Sequence, residues 1–234
     1  MTERVRNLES RPRPTAGRRG RLLALAAVAA CLGAAALSID LPVARAAKLG
    51  SVPGDLRRFV NFFEVAAHGM GVAVLCLGIA AFDPTLWRRS SGSRWLPSPA
   101  LARLIGAAYA GGMVVNTIKM CVVRVRPRAI DLAGVESVFE TFGSAAAEAA
   151  GAIGSAAMSF PSGHSAVAAG FAAAVACRYP RATWYCVFVA LAAMAQRVIA
   201  SDHYPSDVGF GAAIGLVSAA VCLGPRLARR SVAP

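Results

Sequence analysis

The sequence predicts an all-α protein, an integral-membrane bundle of about six transmembrane helices. Three observations predict it. Apolar residues make up 56% of the 234 residues and charged residues only 16%, with a mean hydropathy of +0.54; soluble domains run at roughly 45–50% and about 25%. The apolar excess is gathered in six long blocks, and a helix needs about 20 mostly apolar residues to cross a bilayer. The basic residues, 25 against 12 acidic, collect at the ends of those blocks and form no single basic face. Nucleic acid is excluded as a partner on that ground, because the sparse aromatics are not interleaved with Lys and Arg.

In chain order, residues 1–21 read as a cytoplasmic basic tail, rich in Arg and Pro and without regular structure. The spans are expected near Leu22–Ile39, Phe62–Phe82, Leu101–Val123, Ser165–Arg178 (short), Ala182–Ala200 and Val208–Leu223. Residues 22–226 thus form one membrane domain and 227–234 a second cytoplasmic tail. The first span, with its basic flank and Ala44-Arg45-Ala46, also resembles a cleavable signal peptide; we read it as uncleaved. Ala and Gly abound within the spans, as at Gly69-Met70-Gly71 and Gly111-Gly112, and small residues let helix backbones approach closely in lipid. The positive-inside rule puts the N-terminal tail, Arg88, Arg89, Arg94, Arg178, Arg181, Arg226, Arg229 and Arg230 in the cytoplasm, with Arg103 just inside the third span. The Ala-, Arg- and Gly-rich usage leans toward a bacterial inner membrane. Cys31, Cys76, Cys121, Cys177, Cys186 and Cys222 lie in or beside apolar stretches with no C-x-x-C pair, and read as packing residues.

This topology brings three polar clusters to the outer face: Lys119 to Arg126-Pro127, Phe160-Pro161-Ser162-Gly163-His164, and Arg197 through His203 to Asp207. Ionisable residues at membrane depth are expensive and mark function. Lys119, Arg126 and Arg197 bring three positive charges together, and guanidinium forks match phosphate oxygens. Ser162 and Gly163 sit where a helix starts, so free N–H groups and the positive dipole end face the same anion. Of three histidines in the chain, His164 and His203 lie in these clusters. Asp207, four residues after His203, is placed to accept a hydrogen bond from one ring nitrogen and leave the other free to attack phosphorus. His164 is then placed to protonate the leaving oxygen. No metal or other cofactor is required.

Together, Lys119-x6-Arg126-Pro127, Pro161-Ser162-Gly163-His164 and Arg197-x5-His203-x3-Asp207 resemble the three-part signature of the type 2 phosphatidic acid phosphatase superfamily. The resemblance covers about 90 residues of motif region and the span layout. It implies a helical bundle, metal-independent hydrolysis of a lipid phosphate and a phosphohistidine intermediate on His203. It also implies a general acid at His164, an orienting carboxylate at Asp207, and phosphate held by Lys119, Arg126, Ser162, Gly163 and Arg197. Gln196 stands where that family usually has Ser. Soluble haloperoxidases share the signature, and the six apolar blocks favour the membrane phosphatase branch. Phosphatidic acid, undecaprenyl diphosphate and a lipid A phosphate stay open as substrates. Transfer of phosphate to another lipid, and a non-catalytic lipid-binding or transport role, are the alternatives.

Weaker features complete the reading. Glu64 and His68, with Asn61 a turn before, either line the headgroup entrance or pair with a site residue; the reading preferred here is that they form a hydrogen-bonded pair with each other. The stretch Asp131–Ser159 is either an interfacial lid or a connecting loop. Arg124 and Arg128 flank the first motif and either touch anionic headgroups or a second phosphate, or anchor the helix end.

Overall fold

The structure, a computed structural model, describes residues 15–50, 52–89 and 95–224. Helix α1 (Thr15–Ala36) starts before the apolar block, so Arg18, Arg19 and Arg21 ride on its first turns and not in an unstructured tail. The rest of that expected tail, residues 1–14, and the second tail, 227–234, lie outside the described residues. Two short helices follow, α2 (Asp40–Lys48) and α3 (Gly54–Asn61), then a 3₁₀ turn (Phe62–Ala66) and α4 (Gly69–Phe82).

The expected second span is broken. The segments Gly54–Ala66 and Gly69–Phe82 meet at a bend of 65°. At the bend, Gly71 passes so close to Val65 that a Cβ would lie 2.1 Å from its carbonyl oxygen, which only glycine tolerates. A small antiparallel hairpin, β1 (Trp87–Arg89) with β2 (Trp95–Pro97), leads to α5 (Pro99–Cys121). Pro99 opens α5 at a position where no N–H is needed, and the Ser98 hydroxyl accepts from Leu101 N–H at 3.4 Å. A long connection with one short helix, α6 (Ser144–Ala149), precedes α7 (Gly163–Arg178), α8 (Thr183–Ile199) and α9 (Pro205–Cys222).

Four of these helices are long and apolar enough to cross a membrane, counting α8 from Pro180, and the bent pair makes up to five. The remaining expected span, the fourth in chain order, is α7, so the expected count of six is not reached. Its 16 residues reach about 24 Å at roughly 1.5 Å per residue, short of the ~30 Å hydrocarbon core. It packs against α5, α8 and α9, and residues 165–170 are all buried. Small side chains make that packing possible. A Cβ on Gly215 of α9 would lie 2.1 Å from the Ala166 carbonyl of α7, so the two backbones touch. Outward faces carry exposed Leu25, Leu32, Leu77, Met113, Leu191 and Val221, an apolar exterior suited to lipid. The C-terminal ends of α5 and α8 and the N-terminal ends of α7 and α9 meet at one end of the bundle.

Candidate active site

Past Cys121 the chain leaves its helix and runs extended between two stretches of the long connection. On one side Val125 N–H donates to the Thr141 carbonyl at 2.8 Å and Gly143 N–H to Val123 at 3.0 Å. On the other, Arg124 N–H meets Ala157 at 3.0 Å, Arg126 N–H meets Ala156 at 2.9 Å, and Ser159 N–H meets Arg124 at 2.8 Å. The segment read as lid or loop is therefore pinned by backbone bonds to the first motif.

Arg124 touches no surface at all. It is fully buried, its guanidinium between the rings of Tyr204 (4.0 Å) and Phe142 (4.4 Å). It donates to Asp207 Oδ1 at 2.5 Å, Asp40 Oδ2 at 2.7 Å, Ser206 Oγ at 2.8 Å and Thr141 Oγ1 at 3.2 Å. This overturns the headgroup reading of Arg124, because a guanidinium with two buried carboxylates has no group left for a phosphate. Asp207 in turn accepts from Ser159 Oγ at 2.6 Å and, from the third position of α9, reaches back to Tyr204 N–H at 2.9 Å. Its other neighbour is the His203 ring, with Nδ1 3.7 Å from Oδ2. That is longer than a hydrogen bond, within Coulomb reach, and of the kind that tightens when substrate binds. Burial above all holds the His203 imidazole below the ordinary histidine value; Asp207 pulls the other way, and Lys119 and Arg126 add to the burial.

The expected phosphate ligands gather around the same ring. Arg126 and Arg197 are bridged by one carboxylate, Asp202, at 3.0 and 3.4 Å, and Arg128 also contacts it. Lys119, at the end of α5, makes no hydrogen bond or ion pair among the described residues, and lies within electrostatic range of Arg126, Asp202, Asp207 and His203. The Ser162 hydroxyl caps α7, accepting from Ser165 N–H at 3.3 Å and from its hydroxyl at 2.9 Å. The first amides of α7, at Gly163 and His164, have no acceptor within the helix. His164 sits near Arg197 and His203, with the His68 ring 5.8 Å away.

Glu64 and His68 do not form the expected pair. Glu64 bonds Arg197 at 2.8 Å instead, because the turn Phe62–Ala66 lays it over the end of α8 while the bend carries His68 toward His164. Gln196 is buried and knits that contact together. Its amide donates to Asn61 at 3.1 Å and Glu64 at 3.5 Å, and its oxygen accepts from Arg197. Sequence reasoning missed Asp40, Ser159 and Asp202. Asp202 adjoins His203, and Asp40 is a lone carboxylate at the outer end of the first span, so placement offered a faint signal for both.

Known proteins add two findings. A family model, that of the PAP2 superfamily, matches residues 100–229. The chain is 30% identical over 189 residues to the lipid A 1-phosphatase of Rhizobium etli, covering 79% of this chain and 77% of that protein. No solved structure matches the chain significantly.

Proposed function

The chain belongs to the PAP2 superfamily, and on that premise we propose that it removes phosphate from a membrane lipid through a phosphohistidine on His203. The observation that carries this reading is the convergence on one buried imidazole of three cations, a helix start and a carboxylate from four helix ends. Lys119, Arg126, Arg197 and the amides of Gly163 and His164 hold the phosphoryl oxygens as charge spreads over them in the transition state. Ser162 acts by fixing the helix start. Asp207 faces Nδ1, leaving Nε2 to attack phosphorus; the bond from phosphorus to the lipid oxygen breaks, and that oxygen takes a proton from His164. Water then attacks the phosphohistidine, giving its proton to His164, and phosphate leaves with the ring restored.

The similarity to a lipid A 1-phosphatase favours a glycolipid phosphate of that type over phosphatidic acid or undecaprenyl diphosphate. The active unit is the membrane domain, residues 22–226, in a bacterial inner membrane. Its N-terminus is cytoplasmic and His203 is on the far side, a topology that the positive-inside rule supports. Glu64 and His68 line the headgroup entrance beside Arg197 and His164.

A phosphate-release assay on purified protein tests this against the three lipid classes. Lipid A is the expected best substrate, with label recovered as free phosphate and no loss on adding chelator. His203→Ala lowers turnover by ~10⁴-fold or more at an unchanged melting temperature. Turnover retained in that variant sinks the mechanism, and label passing to a second lipid replaces hydrolysis with transfer.

A further inference from the structure

The end of the bundle away from His203 holds a second polar site. Arg18 and Arg19 of α1, Arg103 of α5 and Arg178 of α7 line one cavity of about 200 Å³, whose remaining wall is mostly apolar. Its charges are lopsided. Arg178 is balanced by Asp83 at 2.9 Å, which also accepts from the Tyr179 hydroxyl at 2.6 Å. Arg18 gives one N–H to the Cys177 carbonyl at 3.4 Å. Arg18, Arg19 and Arg103 have no ion-pair partner among the described residues. The Arg103 Nε is buried with no hydrogen-bond acceptor among the described residues.

Orientation by basic helix ends explains arginines that project into water. It does not explain Arg103, which lies beyond the first turn of α5 with a sealed, unpaired N–H. Such a group is costly unless an acceptor arrives. The cavity is also not isolated. Arg18, Leu22 and Cys177 line, in addition, an apolar groove of about 590 Å³ between α1, α7, α8 and α9, which runs past Val28, Leu32 and Leu191. A basic cup opening into an apolar groove has the shape of an amphiphile. At the head, guanidinium forks donate to phosphate oxygens, and the tail needs only hydrocarbon.

We propose that this is a binding site for an anionic phospholipid of the leaflet opposite His203. The phosphate sits among Arg18, Arg19 and Arg103, and one acyl chain lies in the groove. The bound lipid fastens α1 to α5 and α7 at the end where no hydrogen bond joins α1 to α5 among the described residues.

The test is thermal unfolding of the full chain in neutral detergent, titrated with phosphatidylglycerol, phosphatidylcholine or inorganic phosphate. Phosphatidylglycerol is expected to raise the melting temperature by several degrees, and the other two to leave it in place. Arg103→Gln removes most of that rise. Arg19→Gln, on an exposed side chain, weakens the apparent affinity about fivefold and serves if the buried variant fails to fold. Ala176→Phe fills the groove and weakens lipid binding as well. Equal shifts with both lipids overturn the proposal, as does a full response in Arg103→Gln and Arg19→Gln. Inorganic phosphate matching the lipid, with Ala176→Phe indifferent, replaces it with a free-anion site. Phosphate release plays no part in the readout, so failure here leaves the phosphatase reading untouched.

Discussion

Two arginines, with a single residue between them, serve opposite ends. Arg124 is sealed, paired with two aspartates, stacked between two rings and bonded on to Ser206 and Thr141. Arg126 shares its one carboxylate, Asp202, with Arg128 and Arg197, and has a buried Nε with no partner. Around Arg124 one cation meets two carboxylates. Around Arg126 lie four cations, Lys119, Arg126, Arg128 and Arg197, and among the described residues their ion-pair partners are Asp202 and Glu64 alone. His203 stands at the seam, Nδ1 toward the negative side and the ring within the field of the positive one. A saturated network holds the Asp207 carboxylate beside the ring, and an unsaturated one, in the proposed mechanism, is left for the arriving phosphate. Rigidity and reactivity are separated by sign of charge.

Breaking the saturated side has the largest expected effect. Arg124→Leu leaves Asp40 and Asp207 as buried, unbalanced carboxylates, and removing one partner of a buried pair costs about 3–5 kcal/mol. That is a large share of the roughly 5–15 kcal/mol that holds a domain together. Denaturation of the variant in detergent should show the loss, with phosphate release abolished alongside. A variant as stable as the wild type would mean that Arg124 is not the keystone described here.

This contrast was only half legible in the sequence. Lys119, Arg126, Ser162, His164, Arg197, His203 and Asp207 could be picked out because phosphoryl chemistry fixes residue types at short spacings, and charge topology puts their segments at one end. Arg124 was visible, but its partner Asp40 lies 84 residues away and is joined to it by tertiary packing alone. Nothing local announces such a pair. The helices were legible as apolar blocks. The break at residues 67 and 68 was not, because hydropathy is blind to a bend and the apolar block that starts at Phe62 runs through it; only Gly69 and Gly71 hint at it. The shortness of α7 was visible, and its burial by three neighbours explains why a short helix suffices. Gln196 was visible only as a departure from the family's usual Ser, whereas in the fold it ties Arg197 to Glu64 and Asn61.

A smaller change drains the unsaturated side without touching the other. Lys119→Met removes the cation that makes no ion pair among the described residues, so folding stability should hold while kcat/KM falls by about 10²-fold, as for loss of one oxyanion donor. The pH profile gives the sharper readout. In the proposed mechanism His203 attacks only when neutral, and burial together with Lys119 and Arg126 keeps its pKa below the ordinary value, so the acid limb of kcat/KM is expected below about pH 6.5. Taking Lys119 away lets that pKa rise, and the limb moves to higher pH. An unmoved limb would show that Lys119 does not act on the His203 ring.

The smallest effect on stability is expected where a carboxylate sits among surplus cations. Asp40→Asn and Asp202→Asn make the same chemical change on the two sides of His203. Asp40 is fully buried and bonded to Arg124 and to Ser206 N–H at 2.9 Å, so its variant should lose stability in the range of about 1–3 kcal/mol. Asp202 is the carboxylate that Arg126, Arg128 and Arg197 share, and Arg128 is half exposed. Its loss should shift the melting temperature little, since the freed guanidiniums border the proposed phosphate site. Those guanidiniums then compete less with an internal carboxylate, and inhibition by inorganic phosphate or vanadate should strengthen several-fold. Weaker inhibition in Asp202→Asn would instead make Asp202 the element that holds the three arginines in register for phosphate, and the two sides of His203 would then differ in charge but not in kind.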